Sequence, residues 1–136
     1  MLLRDDTGNI VFSACRYLSH CEDALESELL ACMEGLDLAL SHSELPIIVD
    51  TDCSQLVAMI KAPRPDRSVH TSIVAENKEL VNRGRLCSFV KVDRGQVMVS
   101  HVLANFARTG QCTVSRLGSV PVLQELVLES DVFPAV

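Results

Sequence analysis

The stretch VDTDCSQLVAMI, residues 49–60, places two aspartates one residue apart where an apolar run ends. The preceding LPIIV, residues 45–49, is short and rich in β-branched residues, which is typical of a buried strand. The following SQLVAMI, residues 54–60, has its apolar residues at helical spacing. The stretch therefore predicts a strand that ends near a carboxylate and continues into a helix, with Asp52 at the junction.

Two roles compete for Asp52. In open α/β sheets, ligands bind beyond the carboxyl ends of the strands, and a carboxylate there can hold Mg²⁺, which prefers oxygen ligands. An aspartate at a strand-to-helix junction is also a common helix N-cap. On the residues alone, both interpretations stay open.

The rest of the chain alternates strands and helices around this stretch. Residues 1–4 and 10–19 are predicted to form two strands joined by a turn at 5–9, where Gly8 accepts a positive φ without steric cost. Residues 22–41 are predicted to form a helix, because apolar positions recur there at intervals of four and three, namely Leu25, Leu29, Cys32, Leu36 and Ala39.

Beyond the central stretch, a second helix is predicted over residues 53–62 and a loop over 62–68, because two prolines two residues apart cannot continue a helix. Residues 69–84 predict a third helix, 86–92 a strand, and 96–110 a fourth helix ending at Gly110. This order predicts an α/β fold in which helices pack on a mixed sheet.

Length and composition limit the class of protein. A chain of 136 residues fits one domain, and a hydrophobic fraction of 48% indicates a globular fold. The net charge of −6 disfavours a protein that binds nucleic acid over its whole surface, but it allows a local basic face. The segment MLLRDDTG is charged by its fourth residue, so the sequence predicts neither a signal peptide nor a membrane span, and an intracellular protein is expected.

Six cysteines, at 15, 21, 32, 53, 87 and 112, include no CxxC pair, and several fall in apolar positions of a helix or strand. They could form a zinc site or disulfides, but the pattern favours buried reduced thiols that behave as small hydrophobic residues.

Two segments carry basic residues suited to phosphate contacts. The loop KAPRPDR holds Lys61, Arg64 and Arg67, and residues 78–94 hold five more cations, of which Arg94 is the last. A solvated charged face explains the same pattern. No aromatic residues are interleaved with these cations to stack on bases.

Four segments, taken in order, resemble the ribonuclease H-like domain of plant retroelement reverse-transcriptase-like proteins. They are LLRDDTGNIVFSACRYL, ESELLACMEGLDLAL, PIIVDTDCSQLVAMI and FVKVDRGQVMVSHVLANFA. The matched positions are Arg4, Asp5, Gly8, Glu28, Ala31, Gly35, Leu36, Asp50, Asp52, Arg94, His101, Leu103 and Ala104. The chain has Val97 where that family usually has Asn and Ser100 where it usually has Ala.

The resemblance implies Mg²⁺-dependent hydrolysis of RNA in RNA/DNA hybrids, with carboxylates holding two metal ions. Glu28 and Asp52 match two of the four family carboxylates and are the implied metal ligands and catalytic residues. His101 stands at the last carboxylate position, where the family has Asp or His. The first carboxylate belongs to an opening strand that we expect upstream of Met1, so the sequence predicts a ribonuclease H-like domain at 1–112 without its first strand, followed by a tail at 113–136 with a short apolar segment.

Two of four carboxylates predict weak Mg²⁺ binding and weak or absent hydrolysis in this copy. The implied partner is an RNA/DNA hybrid or another nucleic acid, bound through Lys61, Arg64, Arg67 and Arg94, in the nucleus or the cytoplasm. The alternative is a non-catalytic module of the same fold that binds nucleic acid or a protein. A truncated retroelement product without a maintained role is a third interpretation. The oligomeric state is not predicted.

Overall fold

The computed structural model describes residues 1–83 and 86–117. The predicted order of strands and helices is confirmed through the fourth helix, and a strand that was not predicted follows it within the expected tail. The chain has the predicted mixed α/β fold. The elements are β1 (Leu2–Arg4), β2 (Ile10–Cys15), α1 (Ala24–His42), β3 (Ile47–Thr51), α2 (Ser54–Lys61), α3 (Thr71–Val81), β4 (Cys87–Lys91), a 3₁₀ helix (Arg94–Val97), α4 (Met98–Gly110) and β5 (Val114–Leu117). The apolar segment predicted at residues 123–128 lies outside the described part of the chain.

The described strands pair as two sheets rather than one. The first is antiparallel, with strand order β1-β2-β5, and the second is the parallel pair β3-β4. The chain accordingly divides into two compact units, one formed by residues 1–17 with the part from Met98 onward, and the other by residues 18–97.

In the first unit, a tight turn joins β1 to β2. The Asp5 carboxylate accepts hydrogen bonds from the backbone N–H groups of Thr7, at 3.0 Å, and Asn9, at 2.8 Å. A hydrogen bond from the Thr7 hydroxyl, followed by the one from the Asn9 backbone, holds the pKa of Asp5 below its ordinary value. Gly8 has a φ of +88°, as the predicted turn requires.

The core of this unit lies where α4 packs against β2. Its buried residues are Cys15, Leu103 and Ala107, surrounded by the partly buried Leu2, Ile10, Val99, Phe106 and Val114. The last helix was predicted to begin at residue 96. Instead, residues 94–97 form a 3₁₀ turn and α4 begins at Met98, because the Asp93 backbone N–H donates to the Gln96 side chain and the Gln96 N–H donates back to the Asp93 carbonyl.

In the second unit, α1 packs against α2 and α3, and α2 also contacts β4. The predicted stripe of α1 is confirmed as the core-facing side, with Leu29, Leu36 and Ala39 buried. Asn77 on α3 is completely buried at this interface, where its Nδ2 donates to the Leu29 carbonyl at 3.1 Å and to the Ile73 carbonyl at 2.9 Å. Its Oδ1 is the one buried side-chain polar atom in the described residues with no hydrogen-bond partner.

All six cysteines carry free thiols. Cys15 is buried and four others are half-buried, but Cys21 is exposed, contrary to the prediction of buried thiols. It lies in the turn before α1, where its Sγ contacts the Asp23 carbonyl at 3.3 Å. Within the described ranges, no helix is both long and apolar enough to cross a membrane.

Asp23 connects the beginnings of α1 and α3. Its Oδ1 caps α1 by accepting from the Glu26 backbone N–H at 2.7 Å, and its Oδ2 lies 3.2 Å from Nε2 of the buried His70. The backbone hydrogen bond from Glu26, followed by the contact with His70, lowers the pKa of Asp23. Because the folded pKa is lowered, the stabilisation by Asp23 is present above the unfolded pKa and is lost as pH falls through the folded pKa.

We expect Asp23→Ala to lower the melting temperature near neutral pH and to converge with the native chain in acid, where the carboxyl group is protonated. Asp37→Ala is the matched control, because Asp37 is an exposed aspartate of the same helix. Thermal unfolding followed by circular dichroism over a pH series measures both variants. A deficit for Asp23→Ala that stays constant into acid would contradict this electrostatic account.

Candidate functional site

Asp52 does not cap the helix that follows it. Strand β3 ends at Thr51, and the N-cap residue of α2 is Cys53, whose side chain makes no capping hydrogen bond. The Cys53 backbone N–H is instead satisfied by the Thr51 hydroxyl at 3.1 Å. The N-cap interpretation is therefore wrong, and the half-buried Asp52 stands between strand and helix without being the cap.

The carboxyl ends of β3 and β4 lie side by side. In the parallel register Thr51 pairs with Lys91, and the Val92 N–H donates to the Thr51 carbonyl at 2.9 Å, which extends the pairing one residue past the end of β4. The 3₁₀ helix that starts at Arg94 contacts β3. Asp52 and the exposed Arg94 consequently both follow strands that end at this edge, which we call the carboxyl edge.

Glu28 lies on α1 one helical turn before Cys32. Cys32, one helical turn further along, has its pKa raised to about 12, mainly by burial and then by the negative charges of Cys87 and Glu28. Cys87 belongs to β4. Residues four apart share one face of a helix, which places the half-buried Glu28 on the same side.

The predicted site residues are distributed over both units. Glu28 and Asp52 belong to the unit of residues 18–97, whereas His101 is a half-buried residue of α4 in the other unit. Across residues 1–83 and 86–117, no three histidine, cysteine, aspartate or glutamate side chains are grouped so that they could hold a metal ion. This donor set does not fit a two-metal site, and metal binding by Glu28 and Asp52 stays a prediction.

A second feature of the same unit is the basic loop, residues 61–68, which contains Lys61, Arg64 and Arg67. All three cations are exposed. The loop and the end of α2 enclose a surface cavity of about 580 Å³, which is lined by Ala58, Met59, Ala62, Arg64, Pro65, Asp66 and Arg67. Asp52 precedes α2 and Lys61 ends it, so the carboxyl edge and the basic loop lie at opposite ends of a helix about 12 Å long.

The two arginines are available for a ligand. Within the described ranges, neither guanidinium forms a hydrogen bond or an ion pair with another residue. Asp66, the carboxylate between them, accepts instead from the backbone N–H and the hydroxyl of Ser68. The loop therefore carries three cations against one carboxylate, and so a local excess of positive charge.

Hydrogen bonds hold the basic loop in one conformation. The Thr71 hydroxyl donates to the Ser68 carbonyl at 2.6 Å. The Lys78 ammonium donates to the carbonyls of Ala62, at 2.8 Å, and Arg64, at 3.2 Å. The sequence places Lys78 among the basic residues of 78–94, but nothing in its spacing indicates that it bonds to a loop 14 to 16 residues earlier.

Comparisons with known proteins identify the family. A family model described as Reverse transcriptase-like matches residues 1–107. Neither the curated proteins nor the solved structures contain a match to the chain. The model covers most of the chain, including the carboxyl edge, the basic loop and nearly all of α4. The chain belongs to the Reverse transcriptase-like family, which is of the ribonuclease H-like type.

Proposed function

We propose that this chain binds nucleic acid, with RNA/DNA hybrids as the favoured ligand, through Lys61, Arg64 and Arg67 of the basic loop and through Arg94 at the carboxyl edge. The observation that carries the proposal is the basic loop itself, in which two exposed guanidinium groups without ionic partners line one cavity. Ribonuclease H-like domains generally bind nucleic acid, and this ligand implies a nuclear or cytoplasmic site of action.

The electrostatics of the loop support a backbone-binding mode. The chain has a net charge of −6, so binding must depend on this local group of cations rather than on the overall field. Guanidinium groups bind phosphate oxygens through two parallel hydrogen bonds. Because the residues lining the cavity include no aromatic side chain, recognition should follow the shape and backbone of the duplex rather than base stacking.

The test is a fluorescence anisotropy titration of a labelled RNA/DNA hybrid with the native chain in EDTA. Four phosphate contacts predict saturable binding whose logarithm falls with the logarithm of salt concentration, with a slope of about −3.6. A DNA duplex of the same sequence serves as the comparison ligand. Absence of binding at low salt, or an affinity that does not respond to salt, would exclude this function.

For catalysis, we propose that Glu28 and Asp52 are what this chain retains of a hydrolytic site, with His101 as a third candidate residue. Ribonuclease H-like enzymes generally use Mg²⁺, and two carboxylates leave half of the charge of two divalent ions unbalanced. The second candidate function is a non-catalytic module of the same fold that binds nucleic acid or a protein. The observation in its favour is that the described residues do not bring three metal ligands together.

Cleavage of a labelled hybrid is accordingly expected to be very slow, even at millimolar Mg²⁺, and close to the rate in EDTA. Asp52→Asn should then change little, as should the matched control Asp50→Asn, two residues earlier at the end of β3. Release of short RNA fragments on a denaturing gel measures the rate. Rapid metal-dependent cleavage that Asp52→Asn abolishes and Asp50→Asn preserves would show instead that two carboxylates are sufficient.

A further inference from the structure

Lys78 donates hydrogen bonds to the part of the basic loop in which two prolines lack backbone N–H donors. Residues 62–65 read Ala-Pro-Arg-Pro, and neither Pro63 nor Pro65 has an N–H to donate. The carbonyls of Ala62 and Arg64 accept from the Lys78 ammonium, which has three N–H donors. One side chain of α3 thereby fixes the backbone just before Pro63 and just before Pro65.

The charge of Lys78 is directed to backbone rather than to a carboxylate. The carboxylate of Glu79, its neighbour in sequence, is 3.9 Å from the guanidinium of Arg83, which follows the end of α3. The half-buried Lys78 makes its two hydrogen bonds to the loop on either side of Pro63. Its position therefore determines where the Arg64 backbone lies, and hence where the Arg64 guanidinium can reach.

We propose that Lys78 is a positioning residue for nucleic-acid binding, which acts by holding Arg64 in place and not by contacting phosphate. This inference rests on the proposed function of the basic loop. The inference gives Lys78 a different role from that of the cations that contact phosphate directly. Removing a phosphate-binding cation costs its own contact, whereas removing Lys78 costs the contact that Arg64 makes.

A double-mutant cycle distinguishes the two roles. We expect Arg64→Gln to weaken hybrid binding by about tenfold, the effect of one charge-assisted hydrogen bond. Lys78→Gln should weaken it by a similar factor. The double variant should be no weaker than Arg64→Gln alone, because Lys78 has nothing left to position. Lys78→Arg, which keeps the charge and the N–H donors, should restore most of the affinity.

Arg83→Gln is the control, since it removes an equal charge from the end of α3 without a bond to the loop, and its affinity should match that of the native chain. Additive losses, amounting to about a hundredfold in the double variant, would show that Lys78 binds phosphate independently. Failure of Lys78→Arg to restore binding would also overturn the positioning role. If Arg64→Gln itself has no effect, the proposed binding function of the loop fails, and the inference fails with it.

Discussion

Replacing Arg64 and Arg67 together with glutamine is expected to weaken binding of an RNA/DNA hybrid by about a hundredfold, since each loss removes one charge-assisted contact. The slope of log affinity against log salt concentration should become shallower by about two, because two fewer counterions are released. Both side chains are exposed and line the same cavity, so we expect their replacement to leave the fold intact. Anisotropy titrations at several salt concentrations measure both quantities.

The matched control is the double variant Arg83→Gln with Arg108→Gln. It makes the same change in net charge, but it removes exposed arginines outside the basic loop. Arg83 lies 3.9 Å from Glu79, and Arg108 donates to Asn105 on α4. Affinity and salt slope should stay near the native values. Equal losses in the two double variants would mean that net charge, and not the basic loop, determines binding.

The largest expected effect on stability comes from Asn77→Asp, a change of one atom in a completely buried side chain. The substitution replaces an amide that donates to two carbonyls with a carboxylate that faces the same oxygens. The aspartate must either stay charged without a partner or take up a proton. Taking up a proton near pH 7 costs about 4 kcal/mol, because pH 7 lies roughly three units above the pKa of a free aspartate. We expect a loss of about 4–5 kcal/mol in the free energy of unfolding, the sum of the protonation cost and the lost hydrogen bond.

This loss should depend on pH in a defined direction. The folded pKa of the new carboxyl is raised above its unfolded value, so the penalty is smallest below the unfolded pKa. It grows as pH rises and is complete above the folded pKa. In acid, the protonated group can donate to one carbonyl, which leaves a residual loss of about 1 kcal/mol.

Urea unfolding at several pH values measures the loss for Asn77→Asp. The control is Asn105→Asp, the same chemical change on an exposed position of α4 where Arg108 is the partner, and it should change stability by less than about 0.5 kcal/mol. A variant at Asn77 as stable as the control near neutral pH would show that the interface between α1 and α3 admits water or opens.

Helices and strands that are marked by their own local sequence pattern could be predicted from the sequence. The helical stripe of α1 identified the buried Leu29, Leu36 and Ala39, because spacing alone determines which side of a helix is apolar. The paired prolines ended α2 at the right place, and Gly110 ended α4. The strand before Asp52 was equally visible, since a short β-branched run has few alternatives.

Long-range pairing was not visible from the sequence. The four residues of β5 become a strand because β2 provides hydrogen bonds to them, and the sequence VSRL has no strong strand signal of its own. The contact between His70 and Asp23 joins residues 47 positions apart. The bonds from Lys78 to the basic loop are similar, because a lysine at that spacing is usually a solvated surface residue.

Some features of the candidate site could likewise be predicted from the sequence, and others required the structure. The position of Asp52 at a strand end follows from the sequence, and the side of α1 that carries Glu28 follows from helical spacing. The exclusion of Asp52 as a helix cap required the structure, because Asp52 and Cys53 differ by one residue and only backbone geometry identifies the cap. The assignment of catalytic roles to Glu28, Asp52 and His101 stays a prediction.

The most direct test of binding by the basic loop is an NMR titration that follows the arginine Nε–Hε signals of the 14.9 kDa chain as an RNA/DNA hybrid is added. The account predicts that the signals of Arg64 and Arg67 shift or broaden first, while those of Arg83 and Arg108 stay in place. Shifts confined to Arg83 and Arg108, or an unchanged spectrum at saturating hybrid, would contradict it.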